Sequence, residues 1–396
     1  MTVVYRRLLA DRPFVAGIGS VALSAVALGM IPLSLILASG GSFVDGAFAA
    51  GAFGLANAVG VPVQGALMAR IAARWVVGVS ACVSCGFMLA VAAAPGSAAQ
   101  PVLLAGAGVS FPALAAALRA SIPRSFSESG ERAGASALLS VAFQAGLAVG
   151  PVAASLLATS VGGRLSSVVV AAVIVTAGFL LAFSVGDAAP SRRSGSPLGM
   201  AGVASFGRVL AIGGLVSMAT GSLTVIVPAV AQAVGSRGLA GPVLAALALG
   251  EAVGALLFGA RPWPGSRRSH LVTALALTAS GYAALALVAD QLVLVAGLVF
   301  IAGALSSPVA ILLSASLDDV VQPGMLASAY GLVVVAAVGG AALGTSVAGL
   351  IVGGPTGIAG AAVMSSTAVA SAVAWRFPTF NVQRRRTEGS IAGTQR

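Results

Sequence analysis

The sequence predicts an all-α integral membrane protein, with twelve transmembrane helices in two six-helix, pseudo-symmetric bundles. Three observations carry this reading. Of the 396 residues, 58% are hydrophobic and only 8% are charged. Soluble proteins carry roughly 25% charged residues, so the chain lacks the polar shell that a soluble core of this size needs. The apolar residues fall in twelve runs, each long enough to cross a bilayer, which takes about 20 residues. The second half of the chain also echoes the first. The composition excludes an ordinary cytosolic enzyme, and it excludes disorder, because disordered chains are polar and charged.

The runs are broken by Arg, Asp, Pro-Gly or Ser clusters and cover 14–38, 46–69, 75–94, 101–118, 133–158, 165–185, 208–233, 242–259, 269–289, 291–316, 328–352 and 357–375. Spans 3 and 4 are separated only by residues 95–100, and spans 9 and 10 only by Asp290 and Gln291. Everything outside the runs reads as loop, with no segment large enough to fold alone. The longest inner loop, 186–207, is rich in Ser, Pro and Gly and reads as a flexible linker. It divides the chain into a six-helix bundle at 1–185, a cytoplasmic linker at 186–207, a second bundle at 208–376 and a cytoplasmic tail at 377–396.

The net charge of +11 comes from 21 arginines, with no lysine, against 10 acids. With the N-terminus inside, 19 arginines lie in inner loops and tails and 2, Arg164 and Arg237, in outer loops. The positive-inside rule then puts both termini in the cytoplasm of a multi-pass protein of the inner (plasma) membrane. The basic residues are thus topology signals beside lipid headgroups, and no nucleic-acid partner is expected. Arg6, Arg7 and Arg12 before the first run mimic a signal peptide, but eleven further spans favour a retained first helix.

The halves align at an offset of 194: Asn57-Ala58-Val59-Gly60 matches Glu251-Ala252-Val253-Gly254, Gly65 matches Gly259, Arg74 matches Arg268, and Gly146 and Gly150 match Gly340 and Gly344. Pro112 pairs with Pro308 at an offset of 196. Six spans is an even number, so the second half has the orientation of the first. Parallel repeats of this kind are related by an axis along the membrane normal and belong to transporters.

Two local patterns add detail. The loop after span 2 reads Gly65-Ala66-Leu67-Met68-Ala69-Arg70-Ile71-Ala72-Ala73-Arg74, and span 5 contains Gly146-Leu147-Ala148-Val149-Gly150-Pro151. Glycines at i and i+4 let a neighbouring helix approach closely, and Pro151 removes a backbone hydrogen bond and favours a bend.

With its twelve spans, inner termini and central loop, the chain resembles the major facilitator superfamily over nearly its whole length. The first pattern is similar to that family's G-x-L-x-D-R-x-G-R-R signature, with Ala69 in place of the acid and Ala72 in place of a glycine. The resemblance implies an inner-loop gating role for Gly65, Arg70 and Arg74. The equivalent loop between spans 8 and 9, 259–268, is irregular. The span 5 pattern resembles the g-x-x-x-G-P-x-x-G-G segment of the family's exporters, with Ala154 and Ser155 at the last glycines. It reads either as an exporter marker, with Gly146, Gly150 and Pro151 forming a conformational kink, or as a packing device. The arginine that many exporters carry in span 4 is absent from Val102–Gly108.

The resemblance implies a monomeric secondary transporter that works by alternating access. The expected activity is proton-coupled export, or antiport, of a small organic compound such as a drug, antibiotic or metabolite. Two alternatives stand beside it: an importer or uniporter of a small nutrient, and a receptor that keeps the fold without transport.

Ionisable groups inside a membrane are functional by default, because burying them is costly. Glu251 is the one acid deep in a span, and its repeat-mate is Asn57. If both face the central cavity, Glu251 can exchange protons or pair with a cationic substrate; the alternative is a neutral Glu bonded to a neighbouring helix. Gln144 in span 5 is the next candidate, bonding either substrate or another helix. Aromatic residues are only 5% of the chain, which argues against an aromatic cage and for a mostly aliphatic cavity with a few polar groups.

Cys82 and Cys85 share a face of span 3 and, with His270 as the single histidine, do not supply a zinc ligand set. They read as small packing residues, and His270 as an interfacial cap. No Walker loop, nucleotide fingerprint or nucleophile elbow occurs, so neither a cofactor nor an enzymatic activity is expected.

Overall fold

The computed structural model describes residues 2–39, 42–94, 97–160, 162–184, 204–259, 263–321 and 326–374, and among these every regular element is helical. An N-terminal helix, Thr2–Ala10, precedes span 1 (Arg12–Ala38), span 2 (Phe43–Met68) and span 3 (Ala73–Ala93). Span 4 comes in two segments, Gln100–Val109 and Leu114–Ser125, followed by span 5 (Ser129–Ser160) and span 6 (Gly163–Ser184). The second half contains span 7 (Ala204–Ala233), span 8 (Ala240–Gly259), span 9 (Arg267–Leu285), span 10 (Leu292–Val320), span 11 (Leu326–Val352) and span 12 (Gly357–Ala374). Ten of the twelve are long and apolar enough to cross a membrane. Span 9 opens on Arg267, Arg268 and His270, and span 12 is shorter.

Most helices start two or three residues before the apolar run that announces them. Several of these starts are capped by a side chain. The Asp11 side chain accepts from the Phe14 N–H, with proline at the first helical positions, and Ser42 and Ser266 accept from Asp45 and Ser269.

Two expectations are corrected. Residues before span 1, read as loop, form the helix Thr2–Ala10: Leu8 is fully buried in a cluster with Phe14, Leu114, Ile122, Phe126 and Leu139. Span 4, read as one run over 101–118, is interrupted between Val109 and Leu114 and extends to Ser125. Span 7 begins at Ala204, inside the segment read as linker; the rest of that linker and the tail at 377–396 lie outside the described residues.

The repeat is visible in the packing. In the first half, Gly146 and Gly150 of span 5 lie against the carbonyls of Ala22 and Val26 in span 1. In the second, Gly340 and Gly344 of span 11 lie against those of Gly214 and Met218 in span 7. Spans 2 and 4 interlock through Gly60 on the Val109 carbonyl and Gly108 on the Phe53 carbonyl, and spans 8 and 10 through Gly254 on the Ala304 carbonyl and Gly303 on the Leu247 carbonyl. Hydrocarbon provides no hydrophobic drive between helices, so such close backbone approach is what holds a bundle together. Buried hydroxyl pairs add to it, Ser34 with Ser166 at 2.9 Å between spans 1 and 6 and Ser222 with Ser365 at 2.5 Å between spans 7 and 12.

The two halves meet along spans 2 and 11 and along spans 5 and 8. Ala47 packs on Gly349, Gly51 on Ser346 and Gly54 on Ala342, while Gly241 of span 8 meets the Pro151 carbonyl and Ser155 of span 5. These contacts lie toward the end of the bundle that carries Ser39, Ser42 and residues 234–239 and 353–356, which is therefore the closed end.

Candidate functional site

Glu251 sits midway along span 8. Its backbone carbonyl accepts a 2.6 Å hydrogen bond from the Ser307 hydroxyl of span 10, which fixes the turn that presents the carboxyl. The carboxyl faces span 5, where the Gln144 Nε2 donates to Oε2 at 3.4 Å. This is a long bond, but it joins the two halves. Glu251 is half-buried and Gln144 is exposed. An exposed amide therefore touches the opposite half at mid-span. Two of the sequence-predicted residues are thus brought together.

The third, Asn57, is not. It is 3% exposed, and its Oδ1 is buried without a hydrogen-bond partner. Its neighbours on span 2, Phe53, Gly60 and Gln64, all contact span 4. The repeat explains the orphan. At the 194-residue offset that equates Asn57 with Glu251, the counterpart of Gln144 is Val338, which has no group to donate.

Gly146, Gly150 and Pro151 form one packing surface. Pro151 leaves the Leu147 carbonyl without its helical partner, and that carbonyl lies against Gly29 of span 1, where an added Cβ would come within 2.8 Å of it. Span 5 continues as helix through Pro151 to Ser160. The same arrangement recurs in span 11, where Gly221 meets the Ala341 carbonyl and Thr345 stands at the proline's place. The Thr345 hydroxyl bonds back to Ala341 O and across to Gly221 O, each at 3.0 Å.

At the other end of the bundle, Gly65 lies in the last turn of span 2, Arg70 is exposed in the following turn, and the Arg74 guanidinium stacks 5.2 Å from the ring centroid of its neighbour Trp75. On this same end Arg7 of the N-terminal helix lies 3.7 Å from Glu128 and 3.5 Å from Glu131 at the start of span 5. His270 contacts the Pro264 carbonyl at 3.0 Å beside the start of span 9. Cys82 is exposed and Cys85 half-buried, both as free thiols.

Sequence reasoning missed Gln64. Its amide is 3% exposed and bridges the interruption of span 4: Nε2 donates to Val109 O at 3.1 Å and to Phe111 O at 2.8 Å, and Oε1 accepts from Ala113 N–H at 2.9 Å. Pro112 was the available signal for the break, but nothing in the sequence linked it to Gln64.

Residues 13–212 match the family model described as Major Facilitator Superfamily. The chain belongs to the major facilitator superfamily. It is accordingly a multi-pass membrane protein of a transporter family. No curated protein sequence matches it significantly. Solved structures of superfamily transporters share its fold. The nucleoside transporter NupG is 14% identical, with a TM-score of 0.67 over 91% of this chain and 96% of that one. A bacterial homologue of the human lysosomal transporter Spinster, inward-facing and occupied, is 13% identical, with a TM-score of 0.66 over 92% of this chain and 94% of that one. The human organic anion transporter MFSD10 (TETRAN) is 17% identical, with a TM-score of 0.62 over 93% and 98%.

Proposed function

We propose that this protein is a secondary transporter that exports a small organic compound in exchange for protons, with Glu251 as the proton and substrate site. The observation that carries the proposal is the Gln144–Glu251 contact, a mid-span carboxyl bridged to the opposite half. A carboxyl there is expensive to leave charged. Taking up a proton or a cationic substrate group relieves that cost. Either event changes the bond to Gln144, and so changes how the two halves hold together. Asn57 is the second polar group proposed for the site, buried in the state described.

The arginine asymmetry supports an arrangement with both termini in the cytoplasm of the plasma membrane. On that orientation the closed end faces outward, which fits an inward-facing state, and the transporter acts as a monomer. The inner turn at Gly65, Arg70 and Arg74 then gates the open side, and Gly146, Gly150 and Pro151 bend span 5 as the halves rock.

Everted membrane vesicles with an imposed pH gradient test the proposal. A panel of amphipathic amines and neutral organic compounds is added, and uptake is followed beside the gradient. Uptake of at least one compound that dissipates the gradient is expected. Uptake that persists unchanged after the gradient is collapsed defeats proton coupling.

One observation favours a second reading, import or uniport of a nutrient. The Gly146/Gly150 packing of span 5 recurs at Gly340 and Gly344 of span 11, so these glycines serve bundle packing in both halves and do not by themselves mark an exporter. The direction of flux in whole cells separates the two.

A further inference from the structure

In a continuous helix the Ala113 N–H would bond to the Val109 carbonyl, four residues back. In span 4 neither group meets the other. The Gln64 side chain stands between them, giving its Nε2 to Val109 O at 3.1 Å and taking the Ala113 N–H on its Oε1 at 2.9 Å. The same Nε2 reaches Phe111 O at 2.8 Å. One amide therefore replaces a helical rung and satisfies a third backbone group as well. In a membrane, where an unsatisfied backbone group costs several kcal/mol, this is what makes the interruption tolerable. The remaining ends close locally: Ser110 N–H and its hydroxyl both bond to Gly106 O, at 3.1 and 2.6 Å, and Phe111 N–H bonds to Gly108 O at 3.1 Å.

Proline alone does not account for the break. Pro32, Pro62, Pro151, Pro228 and Pro308 all lie inside helices that continue through them. Pro308 is the repeat-mate of Pro112, and span 10 runs unbroken from Leu292 to Val320. The residue at Gln64's place in the second half is Phe258, which can neither donate nor accept in this way.

We propose that Gln64 is a positioning residue, a wedge that holds span 4 open as a hinge in the first half alone. With the wedge in, the Gln100–Val109 and Leu114–Ser125 segments are separate bodies; with it withdrawn, the Ala113–Val109 rung closes and the span becomes one rod. Alternating access then combines rocking of the halves with flexion of span 4, and the two halves do not move as equivalent rigid bodies.

The test needs no substrate and is independent of the proposed export. The full chain carries Cys82→Ala and Cys85→Ala, with spin labels at Val102→Cys and Ala120→Cys, two exposed positions on either side of the break, and is placed in lipid nanodiscs. Pulsed electron–electron resonance reads the distance between the labels. The parent is expected to depart from the straight-helix value, roughly 27 Å for this separation at about 1.5 Å per residue. Gln64→Met, which keeps the volume and removes the hydrogen bonds, is expected to shift the distribution to that value. A distribution unchanged by Gln64→Met overturns the proposal. Should that variant fail to fold, Pro112→Ala decides: with Gln64 in place the span is expected to stay open, and straightening by Pro112→Ala alone overturns the wedge.

Discussion

Gln144 and Glu251 approach to 3.4 Å across the seam between the two six-helix halves, an amide of span 5 donating to a carboxyl of span 8. The contact lies beyond the close backbone packing of Pro151 against Gly241. On the proposed mechanism a change of charge at Glu251 acts where the halves separate.

Glu251→Gln keeps the volume and an acceptor but holds no exchangeable charge. Expected is loss of proton-coupled flux, because an intramembrane acid is functional by default, with the chain still folded by size-exclusion profile. Gln144→Leu is expected to weaken transport less and to shift its pH dependence, because the acid remains but its partner is gone. Vesicle flux measured from about pH 5.5 to 8, the range in which a general proton exchanger works, separates the two. Full, pH-dependent transport in Glu251→Gln removes Glu251 from the coupling step.

The glycine ladder makes a prediction about stability. Gly344 lies directly on the Met218 carbonyl, as Gly150 lies on the Val26 carbonyl. A leucine at either place has nowhere to go without moving a helix, and overpacking of this kind costs about 1–3 kcal/mol or more. Gly344→Leu and Gly150→Leu are expected to lower the thermal midpoint in detergent by similar amounts. Gly281→Leu in span 9, with nothing within 4 Å of the added Cβ, is the control that should be nearly neutral.

Pro151 invites the opposite prediction. Its counterpart Thr345 bonds its hydroxyl to Ala341 O, the carbonyl equivalent to the Leu147 oxygen that Pro151 leaves free. Pro151→Thr is thus expected to fold with a thermal midpoint close to the parent's. If the span 5 motif is a kink needed for turnover, flux falls although the fold survives. If it is packing alone, flux is kept.

What was legible in the sequence was what each span states about itself. The glycines at one offset identified the repeat because close helix packing requires glycine in both halves, and the arginines outside the runs recorded the loops. Glu251 was conspicuous because acids are so few. Gln64 was not legible, because its role is defined by backbone atoms 45 to 49 residues away and a lone glutamine near a span end looks like an interfacial residue. Asn57 was assigned by symmetry to the same cavity as Glu251, and its surroundings differ because Val338 has no amide to offer. The N-terminal helix escaped a search for long apolar runs, since it has only nine residues.

That helix carries the last prediction. Among the described residues, Arg7 and Leu8 attach Thr2–Ala10 to the bundle, and their interactions differ in worth. Arg7 pairs with Glu128 and Glu131, and although the Glu131 side chain is only 13% exposed, that of Arg7 is 64% exposed; with the cation in water such pairs contribute about 0–1 kcal/mol and weaken in salt. Leu8 is fully buried among Phe14, Leu114, Ile122 and Phe126, and truncating such a leucine costs about 2–5 kcal/mol. Arg7→Ala is therefore expected to leave the thermal midpoint almost unchanged and to remove a small salt dependence, whereas Leu8→Ala should lower it clearly at any ionic strength. Limited proteolysis near the N-terminus gives an independent reading: cleavage between residues 2 and 12 should accelerate in Leu8→Ala and hardly in Arg7→Ala. The reverse order would mean that charge, and not the buried leucine, docks this helix.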